Sequence, residues 1–285
     1  MAKQLTQAQK HPCKPLLIGL CTWAFINVPS SLMAAELPKD TVQSVMWEQM
    51  AKDHLLSDKA ASGKITMDER IIVRAPVQAE DQMNVPVHVD ARAIQNVQKI
   101  VLIADLNPLT KVLTYFPDNA EPRFSVRIKV EQATPIRAAV LDEKGVWHVG
   151  ATLIDAAGGG CSQPALAHGT DGWVKTLAEV RAKAWRRAAE ATKLRLTIKH
   201  PMDTGLADGI PAFYLENLKL HTPEGEALGR LQLHEPVSEN PTITLFPKIK
   251  ASLKSLVVKG QDNEGNHLKV SVPVPIQASS FATSK

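Results

Sequence analysis

Phe124, Val126, Ile128 and Val130 alternate with Ser125, Arg127 and Lys129, the period-two signature of a strand with one face buried and one face wet. Short β-branched runs recur at Ile71–Val73, Val85–Val89, Ile100–Ile103, Lys111–Phe116, Ile136–Leu141 and Trp147–Ile154. Turn residues separate them, among them Asp105-Leu106-Asn107-Pro108, Pro117-Asp118-Asn119 and the hairpin signal Asp142-Glu143-Lys144-Gly145. A second series follows at Leu194–Lys199, Phe213–His221, Leu228–His234, Thr242–Phe246, Leu253–Lys259 and His267–Val274, with Gln261–Gly265 as a tight turn. Strands this short and this regularly spaced predict an all-β chain of two antiparallel β-sandwich domains. The second is near the lower size for an independent core and is expected to lean on the first through apolar sheet faces.

Two stretches read as helical. Val42, Val45, Met46, Gln49 and Met50 recur at three and four residues, predicting an N-terminal helix over Asp40–Leu56 that covers an edge or face of the sheet. Trp173, Leu177, Val180, Ala184, Ala188 and Ala191 predict a linker helix, with Lys175, Arg181, Lys183, Arg186 and Arg187 on its other faces. Such a basic face docks acidic proteins in some cases and is more often simply solvated.

The N-terminus has the layout of a secretory signal peptide. Lys3, Lys10 and Lys14 precede an apolar run from Leu16 to Val28, and Ser31–Ala35 offers small residues for cleavage. The apolar run is too short and wrongly flanked for a typical membrane span. The mature chain is therefore expected to begin near Ala35 or Glu36 in the periplasm. Loss of the three lysines leaves 30 Lys and Arg against 29 Asp and Glu, so the overall basicity is no argument for nucleic acid. Cys13 and Cys21 leave as well, and Cys161 becomes the one thiol of an exported chain. An unpaired cysteine in an oxidising compartment points to a reactive thiol or an intermolecular disulfide.

Cys161 stands in Gly158-Gly159-Gly160-Cys161-Ser162-Gln163-Pro164. Glycines leave no side chain to pin the run, and Pro164 ends any regular ladder. This predicts an exposed, mobile arm with Cys161 as a covalent attachment point and Gly158, Gly159, Gly160, Ser162 and Gln163 as its flexible flanks. From Ala156 to Gln163 such an arm spans at most about 25 Å. The expected organisation is a signal peptide over 1–35, a first sandwich with its helix over 36–157, the arm over 158–167, the linker helix over 168–193, a second sandwich over 194–276 and a tail over 277–285.

Ala75–Asp81 followed by Val85-Pro86-Val87, Asp105–Pro108, Phe124–Ile128 and Gly159-Gly160-Cys161 resembles SoxY in order and spacing. Lys199–Gly205, Ile210-Pro211-Ala212, Pro236–Pro241 and Asp262–Gly265 resemble SoxZ. The chain thus looks like a fused SoxYZ sulfur carrier, of the kind associated with quinoprotein dehydrogenases. That resemblance implies immunoglobulin-like sandwiches in the periplasm and a Cys161 that holds sulfur intermediates by an S–S linkage while partner enzymes work on them. The partners implied are sulfur-oxidation enzymes, or a quinoprotein dehydrogenase with its c-type cytochrome. Ser162-Gln163-Pro164 stands where the family's arm has trailing glycines, and a second domain follows, so this arm is tethered at both ends.

A carrier thiol needs little from its own chain, and activation is expected from the client enzyme. Asp155 is the nearest charge in sequence and disfavours the thiolate; His168 lies seven residues on. His200, Met202 and Asp203 make a turn more readily than a metal site, and no cofactor is expected. The alternative to a covalent carrier is a non-covalent adaptor for the dehydrogenase and its cytochrome. A thiol-redox enzyme is disfavoured, because no second cysteine is present to resolve a mixed disulfide. The chain is therefore expected not to be an enzyme.

Overall fold

The structure, a computed structural model, describes residues 37–186 and 192–275. The expected signal peptide and C-terminal tail lie outside the described residues. Among the described residues, fifteen strands form two facing sheets. In the first half these are β1 (Ile65–Met67), β2 (Ile72–Arg74), β3 (Val85–Asp90), β4 (Val97–Ala104), β5 (Lys111–Phe116), β6 (Arg123–Ile128), β7 (Thr134–Asp142) and β8 (Trp147–Ile154). The second half supplies β9 (Val180–Arg186), β10 (Thr192–Ile198), β11 (Leu215–His221), β12 (Ala227–Leu233), β13 (Thr242–Leu245), β14 (Ser255–Asp262) and β15 (His267–Pro273).

One sheet has the order β1-β8-β7-β4-β5-β12-β11-β14-β15, the other β2-β3-β6-β13-β10-β9. Alternation decides what faces the core. Val85, Val87 and Val89, then Phe124, Val126 and Ile128, then Leu194, Leu196 and Ile198, turn inward from the six-stranded sheet. They meet Ile100, Leu102, Leu113, Leu218 and Leu256 of the nine-stranded sheet. Each such side chain removed from water stabilises the fold by about 1.5–3 kcal/mol.

The halves join differently from expectation. They do not stack face on face. Strand β5 pairs with β12, matching Leu113 with Leu233 and Tyr115 with Leu231. Strand β6 meets β13 at Ser125 and Thr244. Each sheet therefore runs unbroken through both halves. Pairing satisfies the N–H and C=O groups that free edges would leave unpaired.

The linker helix expected over 168–193 does not form in the described residues. Two 3₁₀ turns, Leu166–Gly169 and Trp173–Thr176, lead into β9. Gly172 and Ala178 adopt the left-handed region (φ 81° and 62°), which ends a right-handed helix. The run Val180–Arg186 also alternates: Val180, Ala182 and Ala184 pack inward while Arg181 and Lys183 face out. Seven residues of register with β10 settle the choice. Helix propensity is a weak prior that such tertiary pairing overrides. The second sandwich thus begins at Val180, not at residue 194.

The N-terminal helix is short: α1 (Trp47–Met50) continues as a π-helical turn over Ala51–Leu56. Trp47, Met50, Ala51 and Leu55 cover the outer face of the nine-stranded sheet against Val101, Ile103, Leu141 and Trp147. Arg137, on β7, reaches out beside this cluster. It holds Asp105 through Nε at 2.9 Å and Asp40 through both terminal nitrogens at 2.7 Å. No helix among the described residues is long and apolar enough to cross a membrane.

Candidate functional site: the cysteine arm and its seat

Strand β6 continues into Lys129-Val130-Glu131, and residues 158–165 lie against it. Gly159 N–H donates to the Glu131 carbonyl and Gly160 N–H to the Val130 carbonyl, both at 3.1 Å. Gly158 and Gly159 take φ of 111° and 88°. A Cβ on Gly160 would run into the carbonyl oxygens of Gln82 and Val130. Only glycine fits there, because two backbones converge on it.

Past the glycines the Glu131 carboxylate takes over. Oε2 accepts the N–H of Cys161 at 2.8 Å and of Ser162 at 3.1 Å, and Oε1 accepts Ser162 Oγ at 2.9 Å. The second sandwich supplies the other wall. Thr204 Oγ1 donates to the Cys161 carbonyl at 2.5 Å. Asp203 accepts the Ala165 N–H at 3.3 Å and lies 2.8 Å from His168 Nε2; Glu239 accepts the Leu166 N–H at 2.7 Å. The buried Lys129 ammonium donates to the Met202 carbonyl and draws the two halves together. Met202 itself adopts φ 54°, with its N–H donated to His200 Nδ1 at 3.1 Å.

Cys161 is consequently buried, with no exposed surface, whereas the sequence predicts an exposed thiol. The glycines that read as freedom serve close approach instead. Gly160 is buried as well; Ser162, Gln163 and Pro164 remain exposed. Burial pushes the thiol pKa up to about 12, Glu131 adds to the shift, and Lys129 offsets part of it. A thiol in this seat is neutral and a poor nucleophile. The charges acting on it are Glu131 and Lys129, neither singled out from the sequence, rather than Asp155; His168 turns to Asp203. Burial lowers the Lys129 pKa, against the pull of Asp203, Cys161 and Glu239.

The candidate set from the sequence is thus brought together, but as a docked segment. Asp203 and Thr204 emerge as the second half's contribution. The only signal for them was the motif Lys199–Gly205, which carries no local hint of what it touches. Among the described residues no group of three His, Cys, Asp or Glu could hold a metal.

The described residues thus form two joined β-sandwiches with one cysteine, on a glycine run at their junction. Residues 57–161 match the family model described as sulfur oxidation protein SoxY, and residues 180–273 match that of sulphur oxidation protein SoxZ. The SoxY match ends on Cys161 and the SoxZ match begins on β9. None of the curated proteins compared matches the chain. Among solved structures, the sulfur carrier protein SoxY from Chlorobium limicola f thiosulfatophilum is 21% identical; the match covers 33% of this chain and 84% of that one, with a TM-score of 0.30. The chain belongs to the SoxY and SoxZ families as a fused SoxYZ, a carrier of sulfur oxidation.

Proposed function

We propose that this chain carries sulfur-compound intermediates covalently on Cys161, in the periplasm after loss of residues 1–35, and presents them to partner enzymes of sulfur oxidation without catalysing a step itself. The observation that carries the reading is the manner in which Cys161 is held. It is the one cysteine among the described residues, at the junction of the two halves, on a run fixed by hydrogen bonds to the Val130 and Glu131 carbonyls, to the Glu131, Asp203 and Glu239 carboxylates and from Thr204, none of them part of either sandwich's strand pairing. The bonds to carboxylates contribute about 1.5–3 kcal/mol each when buried and less when half exposed, so the seat can be left without unfolding either sandwich.

In its seat the thiol is neutral and shielded. Away from it, the thiol returns toward its ordinary pKa of about 8.5, and thiolate becomes available. Joining that thiolate to the terminal sulfur of thiosulfate forms the S–S bond of a Cys161 S-thiosulfonate and releases two electrons, which the haems of a partner c-type cytochrome accept one each.

The burial of Cys161 favours a second reading, a non-covalent adaptor for a periplasmic quinoprotein dehydrogenase and its cytochrome. Intact-mass measurement of protein isolated from cells oxidising reduced sulfur separates the two. Adducts of sulfur, sulfite or thiosulfonate mass, absent from Cys161→Ser, are expected of the carrier. An unmodified thiol together with tight dehydrogenase binding would establish the adaptor.

A further inference from the structure

The outward face of the six-stranded sheet carries charge that neither the core nor the arm uses. Its outward-pointing residues stand in register across all six strands: Arg74 opposite His88, His88 opposite Ser125, Ser125 opposite Thr244, Thr244 opposite Arg195, and Arg195 opposite Lys183; Arg74, Lys183 and Arg195 are exposed, while Thr244 is buried beneath its neighbours. At about 4.8 Å between strands this row is about 24 Å long. Arg127 lies beside it on β6, Arg181 on β9 and Lys193 on β10. Among the described residues, none of the six cations Arg74, Arg127, Arg181, Lys183, Lys193 and Arg195 forms an ion pair with a carboxylate. Asp90, on the same face, is already held by Arg92 at 2.6 Å.

The row is a local concentration of charge, not bulk basicity, because the chain without its first 35 residues is nearly neutral. Like charges directly opposite, as at Arg195 and Lys183, destabilise a sheet. Trp185 sits half-buried between Lys183 and Lys193, whose ammonium groups lie 5.3 and 5.6 Å from its ring centroid. Tryptophan and arginine are the side chains that anchor protein interfaces.

We propose that this face docks the acidic surface of a partner protein. A shallow groove of about 480 Å³ between Arg74, Arg127 and Arg195 is its centre. The row extends well past that groove, onto β9, which suits a protein surface better than a small anion. Arg127 lies four residues from Glu131, so a docked partner sits within about 13 Å of the arm's seat. That consequence rests on the carrier reading; the docking itself does not.

The test is titration of the full chain with poly-L-glutamate of about 20 residues, followed by tryptophan fluorescence and calorimetry at about 50 mM salt. Saturable binding is expected, weakened about tenfold or more at about 200 mM salt. Arg181→Glu/Lys183→Glu/Arg195→Glu is expected to lose at least about tenfold in affinity. The corresponding Gln triple loses less but in the same direction, and serves if the Glu triple fails to fold. Lys59→Glu/Lys144→Glu/Lys248→Glu makes the same charge change at exposed positions outside the strands of both sheets and is expected to stay within about twofold. No binding by the wild type, or an equal loss in that control, overturns the proposal. So does retention of a short DNA duplex at about 150 mM salt where polyglutamate is released, which would reassign the face to nucleic acid.

Discussion

Glu131 holds Cys161 by its backbone: one carboxylate oxygen accepts the cysteine N–H at 2.8 Å and the next N–H at 3.1 Å. Burial is the larger cause of the thiol's raised pKa, and the same carboxylate charge adds to it. One side chain of the first sandwich thus docks the arm and, by keeping the thiol buried beside its own charge, disfavours the thiolate. In Glu131→Ala both effects go. Native-state labelling of Cys161 is expected to speed up about tenfold, the low end for a charged hydrogen bond that solvent partly screens. The melting temperature is expected to move by no more than a few degrees; an unchanged labelling rate would show that Glu131 does not hold the arm.

Acid stability draws on two histidines, His200, which is buried, and His234, which is half-buried. Burial lowers the His200 pKa to about 4 against the pull of Asp262, 3.5 Å away, and lowers that of His234 to about 4 with help from Lys111 and His54. Both are neutral in the folded chain at neutral pH, while in the unfolded chain they titrate near 6.5. Stability is therefore full above about pH 6.5 and falls as pH drops toward about 4, by up to about 1.4 kcal/mol per pH unit for each histidine. His234→Gln should remove one share of that slope in urea melts between pH 7 and about 4.5. Identical slopes in wild type and variant would exclude the assignment.

Arg137 joins Asp40 and Asp105 where all three are buried, with its guanidinium 4.7 Å from the centre of the Trp47 ring. Arg137→Ala leaves two carboxylates without their cation and is expected to cost about 3–5 kcal/mol in chemical denaturation. Arg137→Lys cannot reproduce the fork that spans both acids and is expected to rescue little. A loss under about 1 kcal/mol in the alanine variant would mean that water replaces the guanidinium.

Residues 180–275 expressed alone lose the partners of β12 and β13, leaving edges beside Leu231 and Ile243 bare. That fragment is expected to melt well below the full chain, and to recover when mixed with residues 37–179. A cooperative melt as high as that of the intact protein would show that the continuous sheets add nothing to the second half.

The strands were legible where one strand's own residues decide. Phe124–Val130 alternates cleanly, and the turns at Gly145 and Gly265, with φ of 74° and 88°, announce their hairpins. Strand β9 was not, because Ala, Arg, Lys and Trp suit a helix locally and only pairing with Leu194–Ile198 makes them a strand. The joining of the halves was not read from the sequence: that Val112–Tyr115 is buried at four successive positions, the mark of an interior strand and not an edge, shows only in the structure. Gly158–Gly160 was ambiguous in principle, since the same lack of a Cβ permits both mobility and close approach. What decides between them, Glu131 and Thr204, lies 30 and 43 residues from Cys161 in sequence.

The carrier reading requires that Cys161 leave its seat while both sandwiches stay folded, and thiol labelling of the native chain measures this directly. Gly160→Ala provides the open reference, because its Cβ cannot pass the Gln82 and Val130 carbonyls and the arm cannot dock. The wild type is expected to label completely under native conditions, more slowly than Gly160→Ala. Its rate should rise with pH toward about 8.5, the pKa of a free thiol, and be insensitive to urea below the unfolding transition. A wild-type thiol that reacts only as the protein unfolds, with a rate tracking global stability, would make Cys161 a core residue and leave the adaptor as the function.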